Sequence, residues 1–398
     1  MTVKFANSSV AYRALPVTVA SRVGNGNWVA TSVAGNTATL SLPSGTTTFG
    51  VAYVCPFDYN NVVNEFIFEA SLSDGAAYTV ECPNVVTRGA FSNVILSGDV
   101  AAIPGATYAS IASQLAPWNI WSTSFTNVQM QFPNGNNDIA VSANTGSSYL
   151  PSAIKIIRNQ AVPGAINGGN PITLAPTDET TSETVTMPTP PAGFQINPSV
   201  AAYYVTTNSA RIDLGGNNSG ASTYAVVPTS ESQPGDHYEF SAEADSTGYV
   251  QQQGEYLLQF LTASEESTAP GAVAFAWPTP LTPNVPTAAA LPTFQIVYPG
   301  GFSGSTQVSS TAQISWLDSN VINYQRVSMT ATSAYLNGST SLSIPDLSSI
   351  PGFIVPATSG TQVGWDEIVT GGTYPSFSVA PLNGSETTTS ARGLYTVP

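Results

Sequence analysis

The sequence predicts an all-β chain: an antiparallel β-sandwich or jelly-roll domain followed by further β-rich units. Short runs rich in Val, Ile, Thr, Tyr and Phe recur along its length, separated by Gly, Asn, Pro and Ser. That is the spacing of sandwich strands and their turns. Segments with a 3.6-residue apolar period are almost absent. The 47 Ser and 45 Thr fit the same expectation, because β-branched Thr suits the solvent face of a strand and Ser serves turns.

The first part of the chain is dense in strands. Runs at 2–6, 17–23, 28–33, 37–42, 50–55, 65–70 and 78–82 gather β-branched and aromatic residues between polar breaks. Gly24-Asn-Gly-Asn27 is a hairpin signal between two of them, since Gly and Asn tolerate positive φ. Further strands are expected at 93–96, 128–132, 139–143, 154–157 and 172–174, with Pro133-Asn-Gly-Asn-Asn-Asp138 as a turn. Ile111-Ala-Ser-Gln-Leu-Ala-Pro117-Trp118 supports a turn or two of helix at most, because Pro117 interrupts it. Residues 1–185 therefore read as one elaborated jelly roll or as two smaller sandwiches.

A break follows. Residues 176–191 are dense in Thr, Pro and acid. Proline lacks an N–H and fixes φ, so 186–194 reads as a stiff hinge. Beyond it, strands are expected at 201–206, 210–214, 224–227, 237–242, 256–261 and 272–277, in a unit spanning 195–290. A Pro- and Ala-rich stretch at 278–292 leads into a last unit, 291–398. Its strands are expected at 294–297, 312–316, 326–331, 340–344, 352–355, 362–365 and 376–379.

Composition narrows the function. The chain has 398 residues, 9 Lys+Arg against 24 Asp+Glu, a formal net charge of −15 and only 8% charged residues. Ordinary soluble proteins carry about 25%. Binding nucleic acid through its phosphates needs clustered cations, which Lys4, Lys155 and seven scattered Arg do not supply. With 42% hydrophobic and 10% aromatic residues the chain is not a disordered one. No apolar run is long enough to predict a membrane span. The start, Met1-Thr-Val-Lys-Phe-Ala-Asn7, has neither the basic nor the apolar region of a signal peptide, so none is expected.

Several residues stand out as candidate sites. Cys55 and Cys82 close similar phrases, Gly50-Val-Ala-Tyr-Val-Cys55-Pro and Ala77-Tyr-Thr-Val-Glu-Cys82-Pro. Both disulfide and buried thiols fit, and free thiols are the expectation. His237, the single histidine, lies beside Asp236 and Glu239. A general-base role is open to it, but a surface histidine at a strand start is the simpler reading. Among the acids between 231 and 266, Asp236, Glu239, Glu243 and Asp245 are candidate calcium ligands, although an EF-hand pattern is missing. Solvated strand faces are the plainer account of them.

Trp118 and Trp121 are either a partner-binding pair or core aromatics, with the core preferred. Lys155, inside an apolar strand, either pairs with a buried acid, forms a covalent crosslink, or guards a sheet edge. The edge role is preferred. No catalytic constellation emerges, and a non-enzyme is expected.

A β-chain of this size divided at Thr186-Met-Pro-Thr-Pro-Pro-Ala-Gly-Phe194 resembles, in organisation alone, the small icosahedral RNA-virus capsid proteins. The resemblance implies a jelly-roll shell domain, a proline-containing hinge and a protruding β domain for host contact. It also implies copies of the chain as partners and a virion location after assembly in the host cytoplasm. Residues 1–12 hold only Lys4 as a candidate for a basic arm, which argues against direct genome binding. The alternative is an exported bacterial surface protein of tandem immunoglobulin-like sandwiches, which a Cys55–Cys82 bond would suit.

Overall fold

The computed structural model describes residues 1–5, 15–56, 62–80, 82, 91–114, 118–146, 150–186, 189–215, 222–252, 255–282, 284–296, 302, 305, 307–318, 323–373 and 384–398. Alternating apolar residues make nearly every regular element a strand. The N-terminal group is β1 (Thr2–Phe5), β2 (Thr18–Val23), β3 (Val29–Ala30), β4 (Thr37–Thr39), β5 (Thr48–Cys55), β6 (Val62–Ser71) and β7 (Ala77–Val80). Next come β8 (Phe91–Asp99), β9 (Tyr108–Ala112), β10 (Trp118–Ile120), β11 (Ser124–Pro133), β12 (Gly135–Asn144), β13 (Pro151–Val162) and β14 (Ile172–Thr173).

A third group holds β15 (Thr181–Thr186), β16 (Phe194–Val205), β17 (Arg211–Gly215), β18 (Ser222–Val226) and β19 (His237–Ser246). It continues with β20 (Val250–Gln252), β21 (Glu255–Ser267) and β22 (Val273–Ala274). The last contains β23 (Thr293–Gln295), β24 (Gln307–Asp318), β25 (Asn323–Thr332), a four-residue helix α1 (Ser333–Leu336), β26 (Ser341–Ser343), β27 (Gln362–Gly372) and β28 (Ser385–Thr396).

One open sheet of thirteen strands organises the molecule, in the order β17-β16-β19-β21-β28-β27-β24-β25-β6-β5-β2-β3, with β20 paired to β21. Its neighbours are antiparallel except at β6–β25, where N- and C-terminal segments run parallel, Asn64 opposite Arg326. Strand pairing therefore crosses the expected hinge. β2, β5 and β6 are hydrogen-bonded into the same sheet as β24, β25, β27 and β28, and the stretch 186–194 joins β15 to β16.

The two faces of this sheet differ. On β19, alternation sends Tyr238, Phe240, Ala242 and Ala244 into a core and His237, Glu239, Ser241, Glu243 and Asp245 to the opposite face. The apolar face continues into the main core, where Ile67, Ile314, Trp316, Met329 and Trp365 pack under the 336–357 segment. Among the described residues, the other face is covered only at its β5–β6 end. There the small sheet β4-β1-β7 lies on Phe49, Val51, Tyr53 and Phe68.

A sandwich of two further sheets, β10-β9-β12-β13 and β11-β8-β14, is filled by Leu96, Ile111, Phe132, Ile139 and Val141. The outer face of its four-stranded sheet, through Ala112, Ala140, Ile154 and Ile156, packs on Tyr204, Tyr224 and Phe240. β12 is thus buried on both faces, as its unbroken buried run from Asn137 to Asn144 records.

Local expectations hold where turn chemistry is explicit. Gly24 has φ +56° in the hairpin between β2 and β3, and Gly135 turns β11 into β12 with φ +115°. The helical turn expected near 111–118 is absent among the described residues: 108–112 and 118–120 are strands, while 115–117 lie outside them. Ile111 and Ala112 are drawn into β9 because they fill the sandwich and its outer face, and tertiary burial outweighs a weak helical period. No strand forms at 352–355, where turns carry Phe353 and Ile354 into the main core. The strand expected at 376–379 lies outside the described residues.

Candidate functional site

The disulfide question resolves against free thiols. Cys55 ends β5 in the large sheet, Cys82 follows β7 in the small sheet stacked on it, and the two are joined by a disulfide. Both are buried where the sheets face each other, so the bond ties the small sheet to the large one.

The four candidate calcium ligands are not brought together. Asp236 turns away from β19 into a buried junction with Arg158, which donates through Nη1 to Asp138 at 3.0 Å and through Nη2 to Asp236 at 2.6 Å. Asp236 also accepts from the Tyr204 hydroxyl at 2.8 Å, the Gln233 amide at 2.9 Å and the Thr207 amide at 2.9 Å. Burial by itself would raise this carboxyl, but the bonds from Arg158, Gln233, Tyr204 and Thr207 hold it below the usual carboxylate range. Asp138 is held low in the same way, by Asn208, the Asn159 amide and Arg158 against the cost of burial. The junction fastens β12 and β13 to the segments preceding β17 and β19.

Glu239, Glu243 and Asp245 share the open face of β19, where same-face neighbours stand about 7 Å apart. His237 Nε2 lies 3.4 Å from Glu239, Arg211 Nη2 lies 3.1 Å from its other oxygen, and Glu266 sits directly across on β21. One ligand atom from each of His237, Glu239 and Glu266 falls within 4.8 Å of the others. Calcium takes six to eight oxygens. Two carboxylates, one of them already held by Arg211, fall short of that set. His237 does begin a strand, as expected. Burial opposes its charge, but the Glu239 partner outweighs burial and raises its pKa.

Lys155 combines two of its expected roles. It lies on β13, an edge of the four-stranded sheet, and its Nζ is 3.6 Å from buried Asp178. The tryptophans reverse their expectation. Trp118 is 58% and Trp121 72% exposed, because three-residue β10 is an edge strand and the sandwich interior is already filled. The Trp121 ring rests 4.8 Å from that of Tyr108 and presents its other face to solvent.

The open sheet face carries the acids of β19 and β21 at one end, and cross-strand hydroxyl and amide pairs over β24, β25, β27 and β28. Thr311 and Thr330 bond across β24–β25 at 2.7 Å, and Thr370 and Thr388 across β27–β28 at 3.2 Å. Gln313 donates to Asp366 at 3.0 Å. At one end, Leu317 and its direct cross-strand neighbour Tyr324 are 49% and 53% exposed, and Leu394 is 53% exposed. Sequence reasoning did not mark this row. Its only signal is an apolar residue at the tail of an otherwise polar strand face.

No family model matches the chain, and no curated protein resembles it.

Proposed function

We propose that the chain is a non-enzymatic structural subunit that assembles with copies of itself, as a viral capsid protein located in the virion. The observation that carries this reading is the open face of the large sheet. It ends in an exposed apolar row, Leu317–Tyr324 with Leu394, on a molecule with only 8% charged residues. Burial between copies suits such a surface. At this end its hydroxyls pair across strands in place, and the apolar row gains by leaving water. Exposed Trp118 and Trp121 offer a second anchor of the kind that concentrates binding energy.

A second reading, an exported bacterial surface protein of tandem β-sandwiches, is favoured by the Cys55–Cys82 bond. Disulfides belong to oxidising compartments, virion and cell surfaces alike. Light scattering coupled to size exclusion separates the two. A closed particle on the order of sixty chains or more supports the capsid. A mass of about one to three chains under every assembly condition rejects it in favour of the surface protein. Within a particle, Tyr324→Glu should block assembly while leaving the monomer's circular dichroism unchanged.

A further inference from the structure

A cleft of about 680 Å³ opens where α1 and the chain up to Pro345 pass over β2, β5 and β6. That volume lies in the range of small-molecule sites. At its floor Arg22, Glu69 and Tyr335 touch one another, Arg22 donating to the Tyr335 hydroxyl and pairing with the Glu69 carboxylate. The Arg22 guanidinium also lies 5.3 Å from the centre of the Trp28 ring and 5.9 Å from that of Tyr335. Glu69 is 1% exposed. Among the described residues, two buried donors here, Arg22 Nε and Trp28 Nε1, have no hydrogen-bond partner. Buried donors are nearly always satisfied, so these mark an imperfectly paired polar floor, of which Arg22 lines the cleft and Trp28 packs behind it.

The chemistry of the walls selects a ligand. Arg22 and Glu69 are the only charged residues among the described ones that line the cleft, and they neutralise each other. An anion would meet the Glu69 carboxylate and a cation the guanidinium, so neither is rewarded. Hydroxyls such as Thr48, Ser71 and Ser341, and the amides of Asn25 and Asn337, offer donors and acceptors together. Tyr335 adds a flat aromatic edge. We infer that this cleft binds a neutral saccharide, whose hydroxyls match the mixed walls and whose C–H faces match the ring. The inference stands apart from the assembly reading and survives its failure.

Saturation-transfer NMR on the full chain tests it. The probes are the methyl glycosides of glucose, galactose, mannose and N-acetylglucosamine, with inorganic phosphate as the anionic arm. At least one glycoside should saturate the wild type. Its affinity should fall about tenfold or more in Ser341→Ala and Asn25→Ala, the loss expected for a hydrogen bond to ligand. Both residues are exposed on the rim, so these variants keep the wild-type melting curve. Arg22→Met should abolish binding. The inference is overturned if no glycoside binds below about 10 mM, if phosphate binds and the glycosides do not, or if binding ignores the rim variants.

Discussion

Arg158 and Arg22 are both largely buried arginines that join segments far apart in the chain, and their surroundings differ in one respect. Arg158 meets two carboxylates, Asp138 and Asp236, whose remaining lone pairs are taken by Asn208, the Asn159 amide, Tyr204, Gln233 and Thr207. Both acids are held below their ordinary range. Arg22 meets one carboxylate, Glu69, and its Nε is unsatisfied. There burial outweighs the pull of Arg22 and Tyr335, and the Glu69 pKa is raised. A saturated buried network acts as a fastening. An unsaturated one beside a cleft keeps polar groups in reserve for a ligand.

The largest expected effect strikes the saturated side. Arg158→Met leaves two buried carboxylates without their cation and should cost about 3–5 kcal/mol in urea unfolding. A loss below about 1 kcal/mol would erase the contrast between the two arginines. The pH dependence of unfolding comes next. Burial pushes Glu65 and Glu367 up to about 7. Their folded pKa values exceed the unfolded ones, so the folded chain holds protons that the unfolded chain has released between about pH 4.5 and 7. Stability should therefore fall by about 2–4 kcal/mol as pH rises across that window, given about 1.4 kcal/mol per pKa unit and partial relaxation. Low-held Asp138 and Asp236 lose their contribution only at pH below the ordinary carboxylate range. A flat profile between pH 5 and 8 would contradict the burial of the two glutamates.

On the other face of the large sheet the small sheet has its own tie, the Cys55–Cys82 bond, which spans 27 residues. Replacing both cysteines by serine should cost about 2–4 kcal/mol, and should loosen β1 and β7 in hydrogen exchange before the sandwich of β8–β14. Arg22→Met is the mildest of the four, at about 1–3 kcal/mol near neutral pH. The stranded Glu69 can take up a proton, so this variant should regain stability as the pH is lowered. Arg158→Met should not recover at the same mildly acidic pH. Equal pH responses would show that the two junctions are alike.

The two halves of the problem were unequally legible in the residues. Strands such as β5, a short unbroken apolar run, and β19, which alternates, were readable because those patterns and their flanking turns are local. β28 was not: Ser385-Glu-Thr-Thr-Thr-Ser-Ala-Arg has almost no apolar side chain, yet it lies in the interior of the large sheet between β21 and β27. Its backbone supplies the ladder; Glu386, Thr388 and Ser390 face the open side, while Thr389 is buried on the other face and accepts from the Leu281 amide. The Arg22 cleft was equally hidden, because its floor draws on residues 22, 69 and 335, and no spacing rule links them.

What the sequence by itself determined is the class of this molecule: β throughout, sparing in charge and poor in cations. Those properties follow from the number and periodicity of side chains, and neighbours in the chain suffice to express them. Only the tertiary structure decided that β6 pairs with β25 across the expected hinge, that Cys55 meets Cys82, and that Trp118 and Trp121 face solvent. Each of those depends on which distant segment wins a place in a sheet or core. Many strands of similar Thr- and Val-rich composition compete for the same edges, and the choice rests on summed burial over hundreds of residues rather than on any local pattern.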